Sequence, residues 1–193
     1  MSTNTKLLDP IETKFYNICQ IINPYLRKIG FTPNLITTAA NVFVLLSIKN
    51  YKYGLNNKAA LFFLISALLD CCDGDMARTY NMGSKFGMYY DFVSDIVING
   101  IYMYIIFKNL YAKKMNKHIF FFFILLILCA VDSGCKSIYK NKNVKNDGPL
   151  HILKKLCPIK INNKENLKKI INYTKFFGYG AIILYITYLI KIS

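Results

Sequence analysis

The stretch HIFFFFILLILCAVDSGCKSIY, residues 118–139, decides the class of fold to which this chain belongs. Its apolar residues fall on every side of a helix, whereas a helix in a soluble core keeps one polar face. About 20 mostly apolar residues are enough to cross a bilayer. The stretch therefore predicts a membrane-spanning helix. A large soluble helical bundle is the alternative, and the missing polar face counts against it.

Further apolar runs lie on both sides of this stretch and are separated by charged loops. They predict an all-α polytopic membrane bundle with five to six transmembrane helices, formed by a single domain over residues 1–193. The five clearest spans are residues 35–53, 59–70, 87–107, 118–139 and 173–190. A sixth span is either absent or hidden in residues 147–161, which are short and charged for a span.

The residues before the first span predict an N-terminal amphipathic helix on the membrane surface. Residues 15–31 mix apolar side chains with Arg27 and Lys28, and Pro24 interrupts them. Such a mixture is typical of a helix that lies in the interface rather than crossing the bilayer. Thr32 then predicts the N-cap of the next helix, with Pro33 at its first position.

The charge of the chain predicts lipid rather than nucleic acid as its large partner. The formal net charge is +15, from 25 Lys and Arg against 10 Asp and Glu. These charges lie in loops between apolar runs, where anionic lipid headgroups are the nearest partner. The distribution of basic residues among the loops places the N-terminus and the acidic stretch described next in the cytosol. Whether the membrane is endoplasmic reticulum or a bacterial-type plasma membrane stays open.

A second stretch, LLDCCDGDMARTYNMGSKFGMYYDFVSDIV, residues 68–97, holds five of the chain's ten acidic residues beside apolar sequence. On a helix, Asp70 and Asp73 are three apart and share a face. On the next helix, Asp91 and Asp95 are four apart and form one stripe. An antiparallel hairpin of the two helices would bring all four carboxylates to one point.

Four converging carboxylates predict a metal site. Like charges repel, and a charge inside the bilayer costs at least a few kcal/mol. Divalent cations remove both problems, and oxygen ligands favour Mg²⁺, Mn²⁺ or Ca²⁺ over zinc. Two carboxylate pairs suit two ions about 3.5–4 Å apart, the arrangement used for phosphoryl displacement.

Neighbouring residues of this stretch fit a phosphate ligand. Gly74 would let a bulky ligand approach the backbone, and Gly87 leaves room on the stripe beside Asp91. Arg78 can bind a phosphate with two parallel hydrogen bonds. Asp75 falls off the shared face and is interpreted as exposed or structural.

The six cysteines suggest neither a zinc ribbon nor a redox motif, because no pair has CxxC spacing. They are interpreted as small apolar fillers of helix contacts. These residues are Cys19, Cys71, Cys72, Cys129, Cys135 and Cys157.

The acidic stretch resembles the CDP-alcohol phosphatidyltransferase signature, D-x2-D-G-x2-A-R-x8-G-x3-D-x3-D. Every fixed position and every spacer of that signature is present between Asp70 and Asp95. The upstream segment NPYLRKIGFTPNLIT also looks like the surface helix and first span of the bacterial and archaeal branch, which makes phosphatidylinositol phosphate or phosphatidylglycerol phosphate. The resemblance covers roughly residues 23–107.

The resemblance implies an enzyme that moves a phosphatidyl group from a CDP-lipid, such as CDP-diacylglycerol, to an alcohol and releases CMP. It implies usually six spans and a homodimer. By matching positions, the ligands of two Mg²⁺ or Mn²⁺ ions would be Asp70, Asp73, Asp91 and Asp95. Asp95 would also be the general base. The contacts to the CDP-lipid would be Asn34, Leu35, Ile36, Thr37, Gly74, Arg78 and Ser84.

The alcohol acceptor is less well defined by the sequence. Asp132 and Lys136 lie four apart near the predicted cytosolic end of the fourth span, and ionisable residues at membrane depth are often functional. Lys136 and Lys140 would bind the phosphate of inositol phosphate or glycerol phosphate, with free inositol as a further acceptor. The alternative is a simple Asp132–Lys136 ion pair with headgroup contacts.

Two other functions stay open. The aminoalcohol branch of the family moves a headgroup from CDP-choline or CDP-ethanolamine to diacylglycerol. Its members tend to carry His-Gly-Cys between the last two aspartates, where this chain has Phe92, Val93 and Ser94. A metal-binding membrane protein without catalysis, such as a cation channel or an inactive relative, is the second alternative.

Overall fold

The computed structural model describes residues 9–140, 153, 155–158 and 164–193. All the regular secondary structure in this part of the chain is helical, which confirms the all-α prediction. The helices are α1 (Pro10–Lys28), α2 (Pro33–Lys52), α3 (Asn56–Thr79), α4 (Lys85–Ala112), α5 (Asn116–Lys140), α6 (Lys164–Thr174) and α7 (Tyr179–Ile192), with a short 3-10 turn at Lys175–Phe177.

Among the described residues, three helical segments are long and apolar enough to cross a membrane: Lys85–Ala112, Asn116–Tyr139 and Glu165–Ile192. The count rises to four if α1 and α2, which meet at a bend of 115°, form one broken span. This agrees with a membrane bundle but gives fewer candidate spans than the five to six predicted. The difference includes α3, whose sequence carries Asp70, Asp73 and Asp75.

The chain divides into two compact units. Unit 1 consists of Lys14–Ile119 and Ile183–Ser193, and unit 2 consists of the described residues within 9–13 and 120–182. The prediction of one membrane domain over the whole chain stays a prediction. The possible sixth span at residues 147–161 lies mostly outside the described residues.

In unit 1, α1, α2 and α3 share a core. Cys19, Ile36, Cys72 and Met76 are buried against one another, so the cysteines here fill helix contacts as predicted. Thr32 caps α2, since its hydroxyl accepts a hydrogen bond from the Leu35 N–H at 3.4 Å, and Pro33 occupies the first turn. Both features match the sequence prediction.

In unit 2, Asp9 caps two helices with one carboxylate. Its Oδ1 accepts hydrogen bonds from the N–H groups of Ile11 and Glu12, in the first turn of α1, at 2.8 and 2.7 Å. Its Oδ2 accepts the N–H of Gly180, at the start of α7, at 2.9 Å. A Cβ atom on Gly180 would stand 2.5 Å from Asp9 Oδ1, so only glycine permits this approach.

Unit 2 also contains a disulfide between Cys135 and Cys157. Cys135 lies in a core cluster with Leu167 and Ile171 of α6. The interpretation of all six cysteines as simple fillers is therefore wrong for this pair. The two residues are 22 positions apart, and such pairing cannot be deduced from spacing alone.

Candidate active site

Three carboxylates converge where α3 faces α4. Asp70, Asp91 and Asp95 each offer an oxygen atom, and these oxygens all lie within 4.8 Å of one another. Each of the three residues is half-buried. Asp91 and Asp95 reach the same point because they are one helical turn apart on α4, as their spacing predicts.

Asp73, the fourth acidic residue of the predicted metal set, is held separately by α2. It is buried, and its Oδ2 accepts a hydrogen bond from the Thr37 hydroxyl at 2.5 Å. It lines a cavity together with Asp91. The structure therefore brings three of the four predicted ligands into one tight group and places the fourth in the wall of the adjoining cavity.

The three-carboxylate group fits a divalent cation. Within the described part of the chain, Asp91 Oδ1 is buried and has no hydrogen-bond partner. A buried carboxylate oxygen without a partner is costly, and a cation would compensate it together with the repulsion among the three groups. Oxygen donors alone suit Mg²⁺ or Mn²⁺. The donor set does not choose between these metals.

The cavity has a volume of about 330 Å³ and opens between α2, α3 and the start of α4. Five of the seven predicted CDP-lipid contacts line it: Asn34, Thr37, Gly74, Arg78 and Ser84. The other two point elsewhere. Leu35 is 51% exposed on the outer face of α2, and Ile36 is buried in the core shared with α1 and α3.

Ser84 and Gly87 shape the wall of this cavity at the start of α4. The Ser84 hydroxyl accepts the Gly87 N–H at 2.9 Å, so it caps α4. A Cβ atom on Gly87 would lie 2.5 Å from Asn34 Oδ1 and 3.0 Å from the Ser84 hydroxyl. Gly87 therefore allows α4 to approach α2 closely, a packing role that differs from the free space beside Asp91 that the sequence predicted.

Arg78 makes a contact that sequence reasoning missed. Its guanidinium lies against Gly74, where a Cβ atom would be 3.1 Å from Nη1. Its Nη2 donates a hydrogen bond to the Tyr16 hydroxyl of α1 at 2.8 Å. Tyr16 is 62 positions away in the chain and belongs to no motif that would have identified it.

Asp75, interpreted from the sequence as exposed or structural, is buried. Its Oδ2 accepts a hydrogen bond from the side-chain amide of Asn23 at 2.8 Å. The carboxylate thus faces α1, away from the shared face of the other aspartates. This supports a structural role.

The predicted acceptor residues belong to unit 2. Lys136 Nζ lies 2.6 Å from Asp132 Oδ2, and both side chains are almost fully buried. Asp132 Oδ1 also accepts the Thr174 hydroxyl at 2.7 Å. The simple ion pair that the sequence left open is therefore formed. The side chain of Lys140 lies outside the described residues.

Several known proteins resemble this chain. The CDP-diacylglycerol–inositol 3-phosphatidyltransferase of Homo sapiens is 40% identical over 65 residues, which are 34% of this chain and 30% of that protein. The archaetidylinositol phosphate synthase of Pyrococcus horikoshii is 32% identical over 91 residues, 46% of this chain and 47% of that protein. The chain thus spans less than half of the length of these curated relatives. No solved structure gives a significant match.

The model of the CDP-alcohol phosphatidyltransferase family matches residues 31–160. The matched region includes the whole signature, the three converging carboxylates and the cavity beside them. It extends over more than half of the chain. On this evidence the chain belongs to the CDP-alcohol phosphatidyltransferase family.

Proposed function

We propose that this protein is a membrane enzyme that transfers a phosphatidyl group from CDP-diacylglycerol to an inositol-type alcohol and releases CMP. One observation carries the proposal: the oxygens of Asp70, Asp91 and Asp95 converge within 4.8 Å beside a cavity lined by Asp73, Gly74 and Arg78. Oxygens that could hold a cation therefore lie beside a space lined by Arg78, the side chain that would bind phosphate. The family match and the two named relatives support the same reaction class.

The reaction is a displacement at phosphorus. The acceptor hydroxyl oxygen forms a bond to the phosphorus of the phosphatidyl group, and the pyrophosphate bond to CMP breaks. Bound Mg²⁺ or Mn²⁺, two ions in our proposal, would supply charge stabilisation for the pyrophosphate and the departing CMP. Asp70, Asp73, Asp91 and Asp95 would hold these ions.

The remaining tasks belong to the protein's own side chains. Asp95 accepts the proton of the attacking hydroxyl, as a carboxylate of this group can. Arg78 orients a phosphate of the CDP-lipid with its planar fork of N–H donors. The nucleotide side of the cavity is lined by Asn34, Thr37 and Ser84, and Ser84 also caps the start of α4.

The inositol-type acceptor rests on the names of the relatives. We propose free inositol or inositol phosphate, with glycerol phosphate as a further candidate. Lys136 and Lys140 would contact an acceptor phosphate, with Asp132 setting the position of Lys136 through their ion pair. We also propose a homodimer with a cytosolic N-terminus and active site, from the resemblance to the family and from the basic loops.

The proposal is tested by assaying CMP release from purified protein in detergent with Mn²⁺ and CDP-diacylglycerol. Inositol, inositol phosphate and glycerol phosphate are offered separately, and CDP-choline with diacylglycerol is the comparison reaction. We expect release that requires an inositol-type acceptor. EDTA should reduce it to background, whereas EDTA saturated with Mn²⁺ should not, and added Mn²⁺ should restore it. Folded protein that releases no CMP with any acceptor would contradict the proposal.

A further inference from the structure

We propose that Tyr16, on the surface helix α1, is a positioning residue that holds the guanidinium of Arg78 ready for the CDP-lipid. The inference rests on the proposed function, because it assigns a role in substrate binding through Arg78. Tyr16 lies outside the signature. It would connect the helix expected on the membrane surface to the side chain expected to bind phosphate.

Two contacts join the side chains. Arg78 Nη2 donates to the Tyr16 hydroxyl at 2.8 Å, and the guanidinium carbon lies 5.6 Å from the centre of the Tyr16 ring. On its other side the guanidinium rests against Gly74. Arg78 is therefore bounded by Gly74 and Tyr16, and it lines the cavity from that position.

The face of α1 that carries Tyr16 is fixed to α3. Tyr16, Cys19 and Asn23 follow one another at spacings of three and four and so share one face. Asn23 is buried, and its Nδ2 donates to Asp75 Oδ2 at 2.8 Å and to the Cys72 carbonyl at 3.1 Å. These contacts lie on either side of Asp73 in the chain. They therefore fix the position of α1 along α3 at the turn that precedes Arg78.

This arrangement prepares Arg78 for an anion. The residue is exposed, and an exposed arginine without a partner samples many rotamers. Its guanidinium has five N–H donors, and the Tyr16 hydroxyl occupies one of them. The remaining donors can bind phosphate while the side chain is already ordered, which lowers the entropy cost of binding substrate.

The test is Tyr16→Phe, which removes the hydroxyl and keeps the ring. We expect KM for CDP-diacylglycerol to rise about 2- to 10-fold, the range for one net hydrogen bond. The kcat and the KM for the acceptor should stay within about twofold of wild type, because uniform binding of the CDP-lipid is lost. The matched control is Tyr25→Phe, the same change on α1 at a side chain that is 70% exposed; its KM should not change.

A double-mutant cycle with Arg78→Lys gives an independent measurement. In that background Tyr16→Phe should have almost no further effect, since a lysine lacks the fork that Tyr16 holds. Affinity for CDP in the presence of Mn²⁺, measured by calorimetry, should fall in Tyr16→Phe even if turnover is poor. An unchanged KM and CDP affinity, a lower KM, or an equal effect in the Arg78→Lys background would overturn the inference. Absence of CMP release by the wild-type protein would instead overturn the proposed function.

Discussion

The half-buried acidic group of unit 1 and the buried Asp132 of unit 2 are compensated differently. Asp132 in unit 2 faces Lys136 at 2.6 Å and accepts the Thr174 hydroxyl at 2.7 Å. In unit 1, Asp70, Asp91 and Asp95 face one another. The first arrangement supplies its own positive charge, and the second concentrates negative charge.

This difference separates a structural carboxylate from one arranged for a ligand. A buried carboxylate that is paired with a lysine has its charge compensated without any further molecule. A group of three carboxylates has its repulsion relieved only by protons or by cations. Burial alone therefore says little about function, and the partner of each carboxylate says more.

Among the substitutions that test this comparison, Asp95→Asn is expected to have the largest effect. Loss of the base should reduce kcat about 10²- to 10⁴-fold, measured as CMP release. In metal-free protein the same change removes one of three repelling charges, so the midpoint of thermal unfolding in detergent should rise.

Glu165→Gln is the matched control for that substitution, because the Glu165 side chain is 83% exposed and pairs loosely with Lys169 at 3.7 Å. It should change neither activity nor unfolding. If Asp95→Asn retains wild-type kcat, the assignment of the base is wrong. If it lowers the unfolding midpoint of metal-free protein, the proposal that the three carboxylates repel one another is wrong.

An effect on stability of the opposite sign is expected from Lys136→Met. It leaves Asp132 buried without its cation, which costs about 3–5 kcal/mol of unfolding free energy. The double variant Asp132→Asn, Lys136→Met should recover most of that loss, because the amide oxygen still accepts from Thr174. Denaturant unfolding in detergent measures both.

The double variant also tests the acceptor proposal. A stable double variant with a raised KM for inositol phosphate, and an unchanged KM for free inositol, would support phosphate binding by Lys136. Unchanged KM values for both would limit Lys136 to the ion pair. Equal unfolding of Lys136→Met and wild type would contradict the structural role itself.

The smallest effects are expected from two matched threonines. Thr37 and Thr174 each donate a hydroxyl hydrogen bond to a buried aspartate, Asp73 and Asp132 respectively. Replacing either by valine should lower the free energy of unfolding by about 1.5–3 kcal/mol, the range for a hydrogen bond to a charged group. For Thr37→Val we expect a several-fold higher Mn²⁺ concentration for half-maximal activity, and for Thr174→Val a lower unfolding midpoint with unchanged Mn²⁺ dependence.

Thr187→Val provides the reference for these two substitutions. Among the described residues, the Thr187 hydroxyl donates only to the Ile183 carbonyl of its own helix, at 2.7 Å. Loss of this hydrogen bond should change the free energy of unfolding by no more than about 0.5 kcal/mol. An identical response of Thr37→Val and Thr174→Val in both measurements would remove the distinction between the two acidic regions.

Much of the fold and of the candidate site follows from local sequence. The N-cap at Thr32, the stripe of Asp91 and Asp95 and the apolar helix around residues 118–139 all depend on neighbours within a turn or two, and the structure confirms their geometry. Helical periodicity is a short-range property. It therefore reports well on which side chains share one helix face.

Contacts between distant segments could not be obtained in this way. Asn23 and Asp75 are 52 positions apart, and Tyr16 and Arg78 are 62 apart. Neither pair has a periodic signature, because each depends on the angle at which α1 packs on α3. The Cys135–Cys157 bond joins residues 22 positions apart and likewise has no periodic signature.

Gly87 has a consequence for how much variation the site can absorb. One methyl group at this position would overlap the Asn34 amide oxygen at 2.5 Å, so either the Asn34 side chain would have to rotate away or α4 would have to move outward. If α4 moved, Asp91 and Asp95, which lie one and two turns further along this helix, would move with it. A glycine in the wall of the cavity thus helps to set how closely α2 and α4 approach, and a larger residue there would disturb the geometry of the site without altering a single carboxylate.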